Sequence, residues 1–203
     1  MPRIRAESIA AHKELTRVDV LDAAHELLEE VGSADISLAE VAHQAGIGRT
    51  TLYEYFRDKD DLIASLVEER LPNVVDGLLA DIDAEGDVSR RLAALAVATV
   101  RFVVADPVLG LILHRELPRL SAEAQERIRD AHGSLSRQMI EAYRTGVETG
   151  VFRPVPPDIA GRLIHDTIMS AARVLIAADD PRSRIDEVER EMTAFLLGGL
   201  ATA

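Results

Sequence analysis

An all-α fold is predicted by three features of the 203-residue sequence. Apolar residues recur at helical spacing between Gly and Pro punctuation, no segment alternates convincingly with period two, and aromatics make up only 3% although 47% of residues are hydrophobic. The core must then be built from Leu, Val, Ile and Ala, a composition that favours helices over a sandwich of aromatic-rich strands. The expected architecture is a small N-terminal bundle joined to a larger C-terminal helical domain.

The elements follow in order. Thr16, with Asp19 three residues on, reads as an acidic variant of the capping box and opens the first helix. Val20, Leu21, Ala24, Leu27, Leu28 and Val31 form its apolar stripe, and Gly32 is the expected residue beyond its C-terminus. The residues ahead of it read as a disordered tail, although Arg3 and Arg5 could act as an arm on phosphate or in a minor groove. Ser37-Leu38-Ala39-Glu40 is a capping box for a second helix that stops at Gly46. A short third helix is expected over residues 49–56. A longer one starts near Asp58 and carries Pro72, which should kink it. Beyond Gly86, five helical blocks are expected at residues 89–105, 107–117, 122–149, 158–178 and 183–200, separated by prolines.

Composition restricts function. With no cysteine, disulfides and thiolate metal sites are excluded. The N-terminal residues lack the apolar run of a signal peptide, and the most apolar stretch, 92–105, is interrupted by Arg101 and too short to span a bilayer. A soluble, cytoplasmic protein without a membrane partner is expected. The net charge of −12 counts against indiscriminate nucleic-acid binding. Even residues 1–60 hold seven Lys or Arg against twelve Asp or Glu, so any DNA contact must rest on a few locally placed cations.

The stretch from Ser37 to Leu62 is the most informative. Two short helices meet at Ala45-Gly46-Ile47-Gly48. Ala42 is small enough for a close helix crossing, and Gly46 tolerates a positive φ in the turn. Val41, Ala45, Ile47 and Leu52 should point inward and fix the second helix. Arg49, Thr50, Thr51, Tyr53 and Tyr55 then offer donors on a helix short enough for a major groove. Tyrosine hydroxyls and Lys59 suit phosphates, and the N-terminus opened by Ser37 can receive one too.

Ala42-x-x-x-Gly46-Ile47, Thr51-Leu52-Tyr53-x-Tyr55-Phe56 and Lys59-x-x-Leu62 together resemble the signature of the TetR family of transcriptional regulators over about residues 16–65. The resemblance implies a helix-turn-helix DNA-binding domain at 1–57 and a ligand-binding and dimerisation domain at 58–203. It implies a sequence-specific regulator, a repressor released from operator DNA by a small molecule, with a homodimer formed through the last two helices. Carried over by position, Thr51 and Tyr53 would contact DNA, and Tyr55 and Lys59 would reach phosphates. Gly48, where a capping Ser is common, and Thr50, where a small residue is usual, depart from the pattern. They leave the operator sequence open.

In the C-terminal part, Phe102, Leu113, Tyr143, His165 and Met169 are candidate ligand-binding residues, with core packing the competing reading for Phe102, Leu113 and Tyr143. His165 and Met169, with Asp166 and Thr167, could instead face a second subunit. His114, His132 and His165 lie in three separate predicted helices without a close ligand pair, so no metal site or other cofactor is expected. No Ser/His/Asp set, phosphate loop or paired-carboxylate pattern stands out, and an enzyme is not expected. The aliphatic composition suits a lipophilic or amphipathic effector, with Arg137, Arg162 or Arg173 available for an anionic group. A helical carrier or enzyme, and a regulator answering to a protein partner, remain the competing readings.

Overall fold

The computed structural model describes residues 2–32, 35–80, 82 and 86–202, and all their side chains except those of residues 2–10 and 111. Among these residues the chain is helical: α1 Pro2–Val31, α2 Leu38–Gln44, α3 Arg49–Leu52, α4 Lys59–Ala80, α5 Val88–Ala105, α6 Pro107–Leu111, α7 Ala122–Glu148, α8 Pro157–Ile176 and α9 Pro181–Leu200. The sole β pairing among them is an isolated bridge between Phe152 and Ala201.

Local chemistry explains most boundaries. Gly32 ends α1 with φ +65°, and its N–H reaches Leu28 O at 2.9 Å. Ser37 caps α2 through the reciprocal bonds of a capping box: Glu40 N donates to Ser37 Oγ at 3.2 Å, and Ser37 N to Glu40 Oε2 at 2.7 Å. Asp58 Oδ1 accepts from Asp61 N at 2.9 Å where α4 begins, and Asp87 Oδ1 accepts from Arg90 N at 2.9 Å at the start of α5. Pro157 and Pro181 stand first in α8 and α9, where a missing N–H costs nothing.

Several expectations need correction. The first helix begins at Pro2, not Thr16. Thr16 is not a cap; its hydroxyl donates back to His12 O at 3.0 Å inside a continuing helix. The preceding Ala-, Glu- and Leu-containing residues have good helix propensity and no breaker, so the disordered tail gives way to helix. The side chains of Arg3 and Arg5 lie outside the described residues. The third helix is shorter than expected, with Tyr53 to Tyr55 in a turn. The block at 107–117 splits into α6, a π-helical turn Ile112–Glu116 and a 3-10 turn Leu117–Arg119. Pro72 lies inside α4, where it was expected.

The chain divides into two compact units that do not follow one cut in the sequence. Unit 1 comprises residues up to Leu71 together with 107–131; unit 2 comprises 72–106 with 132 onward. In unit 1, Val20, Leu21 and Leu28 of α1 share the core with Val41 of α2, Leu52 of α3 and Phe56, all at most 1% exposed. The start of α7 is fastened to the start of α4. Arg127 Nε donates to Glu68 at 2.8 Å, Nη1 to Asp61 at 2.6 Å and Nη2 to Ser65 at 2.9 Å, while Asp60 accepts from Ser121 N at 2.7 Å. In unit 2, α5, α8 and α9 pack around Leu92, Leu95, Ile168 and Leu175. Arg101 of α5 grips Glu189 of α9 through two bonds of 2.6 and 2.8 Å. Phe152 lies so close to Gly146 that a Cβ there would clash with the Cδ2–Cε2 edge of its ring.

Candidate nucleic-acid interface

α2, the turn and α3 form one presented surface. Ala45 N bonds to Val41 O, Gly46 N to His43 O and Ile47 N to Ala42 O, which closes α2 within one turn. Gly46 has φ +67°, and a Cβ on it would meet nothing within 4 Å, so the backbone conformation alone demands glycine. Ala42, Val41, Leu52 and Phe56 are buried and set the angle of α3. Ala45 and Ile47 are only half-buried, because the turn itself lies at the surface.

The candidate contact residues lie opposite that core. Arg49 and Thr50 are exposed, Tyr53 is 46% exposed, and Thr51, Tyr55 and Lys59 are half-buried. Ser37 is exposed at the start of α2, where its hydroxyl and then its N–H hold the Glu40 carboxylate below its ordinary pKa. Gly48 caps α3 without a side-chain bond, so no protein side chain occupies the first N–H groups of that helix at its cap.

Electrostatics separates the cations of unit 1 into two groups. Arg17 bonds to Glu69 at 2.9 Å, Arg70 to Asp22 at 2.6 Å, and Arg57 to Glu123 at 3.0 Å and Asp58 at 3.1 Å. Those charges are neutralised within the protein, and the Arg57 guanidinium is held above its ordinary pKa by Glu123 first and Asp58 second. Arg49 differs. Its guanidinium lies 5.7 Å from the Tyr53 ring centroid and 3.4 Å from the Tyr53 hydroxyl, and that hydrogen bond raises its pKa. Lys13 likewise rests 5.5 Å from the Tyr55 ring centroid. Sequence reasoning passed over Lys13, because nothing local reveals that α1 lies alongside the turn after α3.

Unit 2 holds the other candidates. Phe102 and Met169 are buried in its core. Tyr143 is also buried, but its hydroxyl is engaged by the backbone, accepting from Val155 N at 2.8 Å and lying 3.1 Å from Val155 O. His165 is exposed on α8, and Leu113 is buried in unit 1, whereas the other four candidates belong to unit 2. Arg137, Arg162 and Arg173 are all exposed. Two polar pairs that sequence reasoning did not single out are half-buried instead: Arg91 with Gln138 at 3.2 Å, and His132 with Ser136 at 3.1 Å. A groove between α8 and α9 is lined by Leu163, Val174, Val188 and Phe195, and Phe195 is 74% exposed. Among the described residues no three His, Asp or Glu are grouped to hold a metal, and no single helix is long and apolar enough to cross a membrane.

Two family models match the chain. One, for bacterial regulatory proteins of the tetR family, matches residues 20–66, and one for tetracyclin repressor-like C-terminal domains matches residues 85–173. The chain is 26% identical over 152 residues to the fatty acid metabolism regulator protein of Bacillus subtilis, covering 74% of this chain and 78% of that one. It is 24% identical to the HTH-type transcriptional repressor KstR2 of Mycobacterium tuberculosis, covering 96% of this chain and 97% of the relative. Among solved structures, a tetR family regulatory protein from Rhodococcus RHA1 superposes with a TM-score of 0.75 at 19% identity, covering 93% and 98% of the two chains. FadR from Bacillus subtilis in complex with stearoyl-CoA superposes with a TM-score of 0.69 at 21% identity, covering 87% and 97%. At these identities the structural likeness speaks for the fold.

Proposed function

The chain belongs to the tetR family of bacterial regulatory proteins and is a ligand-regulated, DNA-binding transcriptional repressor; from that premise we propose that it works as a cytoplasmic homodimer that reads operator DNA with α2 and α3. The observation that carries the reading is the exposed Arg49–Thr50–Tyr53 surface on a helix fixed from behind by Leu52 and Phe56. Arg49 is the base-reading residue, since a guanidinium can grip guanine bidentately. Thr50 and Thr51 supply methyl and hydroxyl contacts, and Ser37, Tyr53, Tyr55 and Lys59 orient the protein on phosphates. Residues 1–57 carry the DNA-reading function and residues 58–203 the regulatory one.

Dimerisation uses the face of α8 and α9 that exposes Leu163, Val174 and Phe195. An apolar patch of this kind on adjacent helices is an interface signal, and two half-sites read by a helix-turn-helix dimer lie about 34 Å apart, one turn of duplex. The effector binds in unit 2, where Phe102 and Met169 supply apolar surface and the Arg91–Gln138 and His132–Ser136 pairs supply polar groups. A lipophilic molecule with an anionic end fits that set, and the stearoyl-CoA in the FadR structure has that character. Such a ligand releases the operator by binding the DNA-incompetent spacing of the two α3 helices more tightly, with an ordinary coupling of about 1–3 kcal/mol.

The test is fluorescence anisotropy on duplexes from the region flanking the protein's own gene. Arg49→Ala should relax sequence preference, whereas Lys59→Ala should weaken binding to all sequences alike and lower the salt slope by about 0.9 per lost phosphate contact, hence about 1.8 per dimer. Unchanged affinity, preference and slope in both variants would refute the assignments.

A further inference from the structure

We propose that the N-terminal part of α1 is a second DNA-contacting element, in which Lys13 delivers a phosphate contact beside α3. The inference rests on the operator-binding reading and extends the interface to a segment outside the helix-turn-helix and outside the matched residues 20–66.

Three observations carry it. First, α1 runs from Pro2, yet its first buried side chain among those described is Val20, and residues 11–15 are all exposed. Residues 11–15 therefore contribute nothing to the core of unit 1. Second, residues 2–17 carry Arg3, Arg5, Lys13 and Arg17 against Glu7 and Glu14, a net positive stretch in a chain of net charge −12. Third, the Lys13 ammonium reaches the turn that follows α3, 5.5 Å from the centroid of the half-buried Tyr55 ring. Among the described residues Lys13 forms no ion pair, whereas its neighbour on the same helix, Arg17, is committed to Glu14 and Glu69.

The Tyr55 ring thus positions a cation from α1 next to the helix that Arg49 opens. An exposed cation–π contact is weak and exchanges readily for a charged oxygen. A lysine is a compact point charge on a flexible stem, suited to a phosphate. Together with Arg49 on Tyr53, the arrangement gives an acidic protein two cations that its own carboxylates do not quench, both held by tyrosines of one short segment. The occupant is the sugar-phosphate backbone of duplex DNA flanking the bases read by α3.

The experiment compares full-length wild type, Lys13→Gln and Lys13→Arg on a duplex that the wild type selects from a random pool, and on an unrelated duplex of equal length. Lys13→Gln should weaken both complexes by the same factor. Its plot of log affinity against log salt should be shallower by about 0.9 per lost phosphate contact, hence about 1.8 per dimer. Between 50 and 200 mM salt, Lys13→Gln would then lose about 12-fold less affinity than wild type does. Lys13→Arg should keep the wild-type slope, and the thermal midpoint of both variants should stay at the wild-type value, since the side chain is exposed. An unchanged slope in Lys13→Gln overturns the proposal, even if affinity falls, because Lys13 would then only prop Tyr55. A wild-type protein that selects no sequence overturns the operator reading, and this inference with it.

Discussion

Replacing Arg127 by alanine should loosen the structure that holds the recognition surface. Arg127 stands near the start of α7 and reaches three residues of α4: Asp61 at 2.6 Å, Ser65 at 2.9 Å and Glu68 at 2.8 Å. α4 begins three residues after Phe56, whose ring helps seat α3, so the clamp acts close to the DNA-reading segment. The side chains of Arg127 and Asp61 are 28% and 20% exposed, and that of Glu68 is 36% exposed. A hydrogen bond to a charged group contributes about 1.5–3 kcal/mol when shielded, and an exposed ion pair contributes less than 1 kcal/mol. For this half-shielded cluster the loss should be about 2–3 kcal/mol, less than the separate bonds would suggest, because water can solvate the carboxylates left behind. In a chain of this length that corresponds to a thermal midpoint lowered by about 5–10 °C. Arg127→Lys keeps a charge but loses the fork that spans Asp61 and Glu68, and should fall between alanine and wild type. Calorimetry on the three proteins measures it. An alanine variant that melts within a degree of wild type would refute the argument that this clamp stabilises unit 1.

Other outcomes follow from the same coordinates. Gly46→Ala should destabilise by about 1–2 kcal/mol, from backbone strain at φ +67° and not from a clash, and Gly46→Asn should recover part of that in chemical denaturation; equal stability of Ala and Gly would contradict it. Phe195→Asp should weaken self-association by about 30-fold or more, read by sedimentation, if the α8–α9 face is the dimer interface; an unchanged dimer would exclude that face. Burial, and secondarily His165, hold the His132 imidazolium below its ordinary pKa. The unfolded chain therefore takes up this proton first. Its contribution to stability is intact above the ordinary histidine range and is lost as pH falls through that range toward the lower folded value. His132→Gln should flatten that part of the stability–pH curve, and an identical curve would show that His132 does not titrate with unfolding.

What the sequence revealed was local, and what it concealed was tertiary. The Ser37–Glu40 box and the Gly46 turn are closed by bonds within five residues, so their signatures are written in adjacent letters. Residues 37–56 were legible because a fixed helix angle requires small, apolar and polar residues at set places. The start of α1 was misread because a threonine hydroxyl can cap a helix or bond back inside one, and Thr16 does the second. The π-helical turn at Ile112–Glu116 has no local signature. The Lys13–Tyr55 and Arg91–Gln138 neighbours each join segments distant in sequence, which periodicity within one helix cannot pair. For the same reason Leu113 and Tyr143 looked alike as apolar helix residues, although one is buried in unit 1 and the other fastens the 153–155 turn of unit 2.

The central claim concerns what the α2–α3 surface touches, and sequence selection from a random duplex pool by the full-length protein measures that directly. The account predicts an enriched site with two inverted half-sites centred about one helical turn apart, whose consensus degrades at a guanine when Arg49 is replaced. Recovery of a pool no different from the input, with binding that disappears alike from every duplex as salt rises, would contradict it.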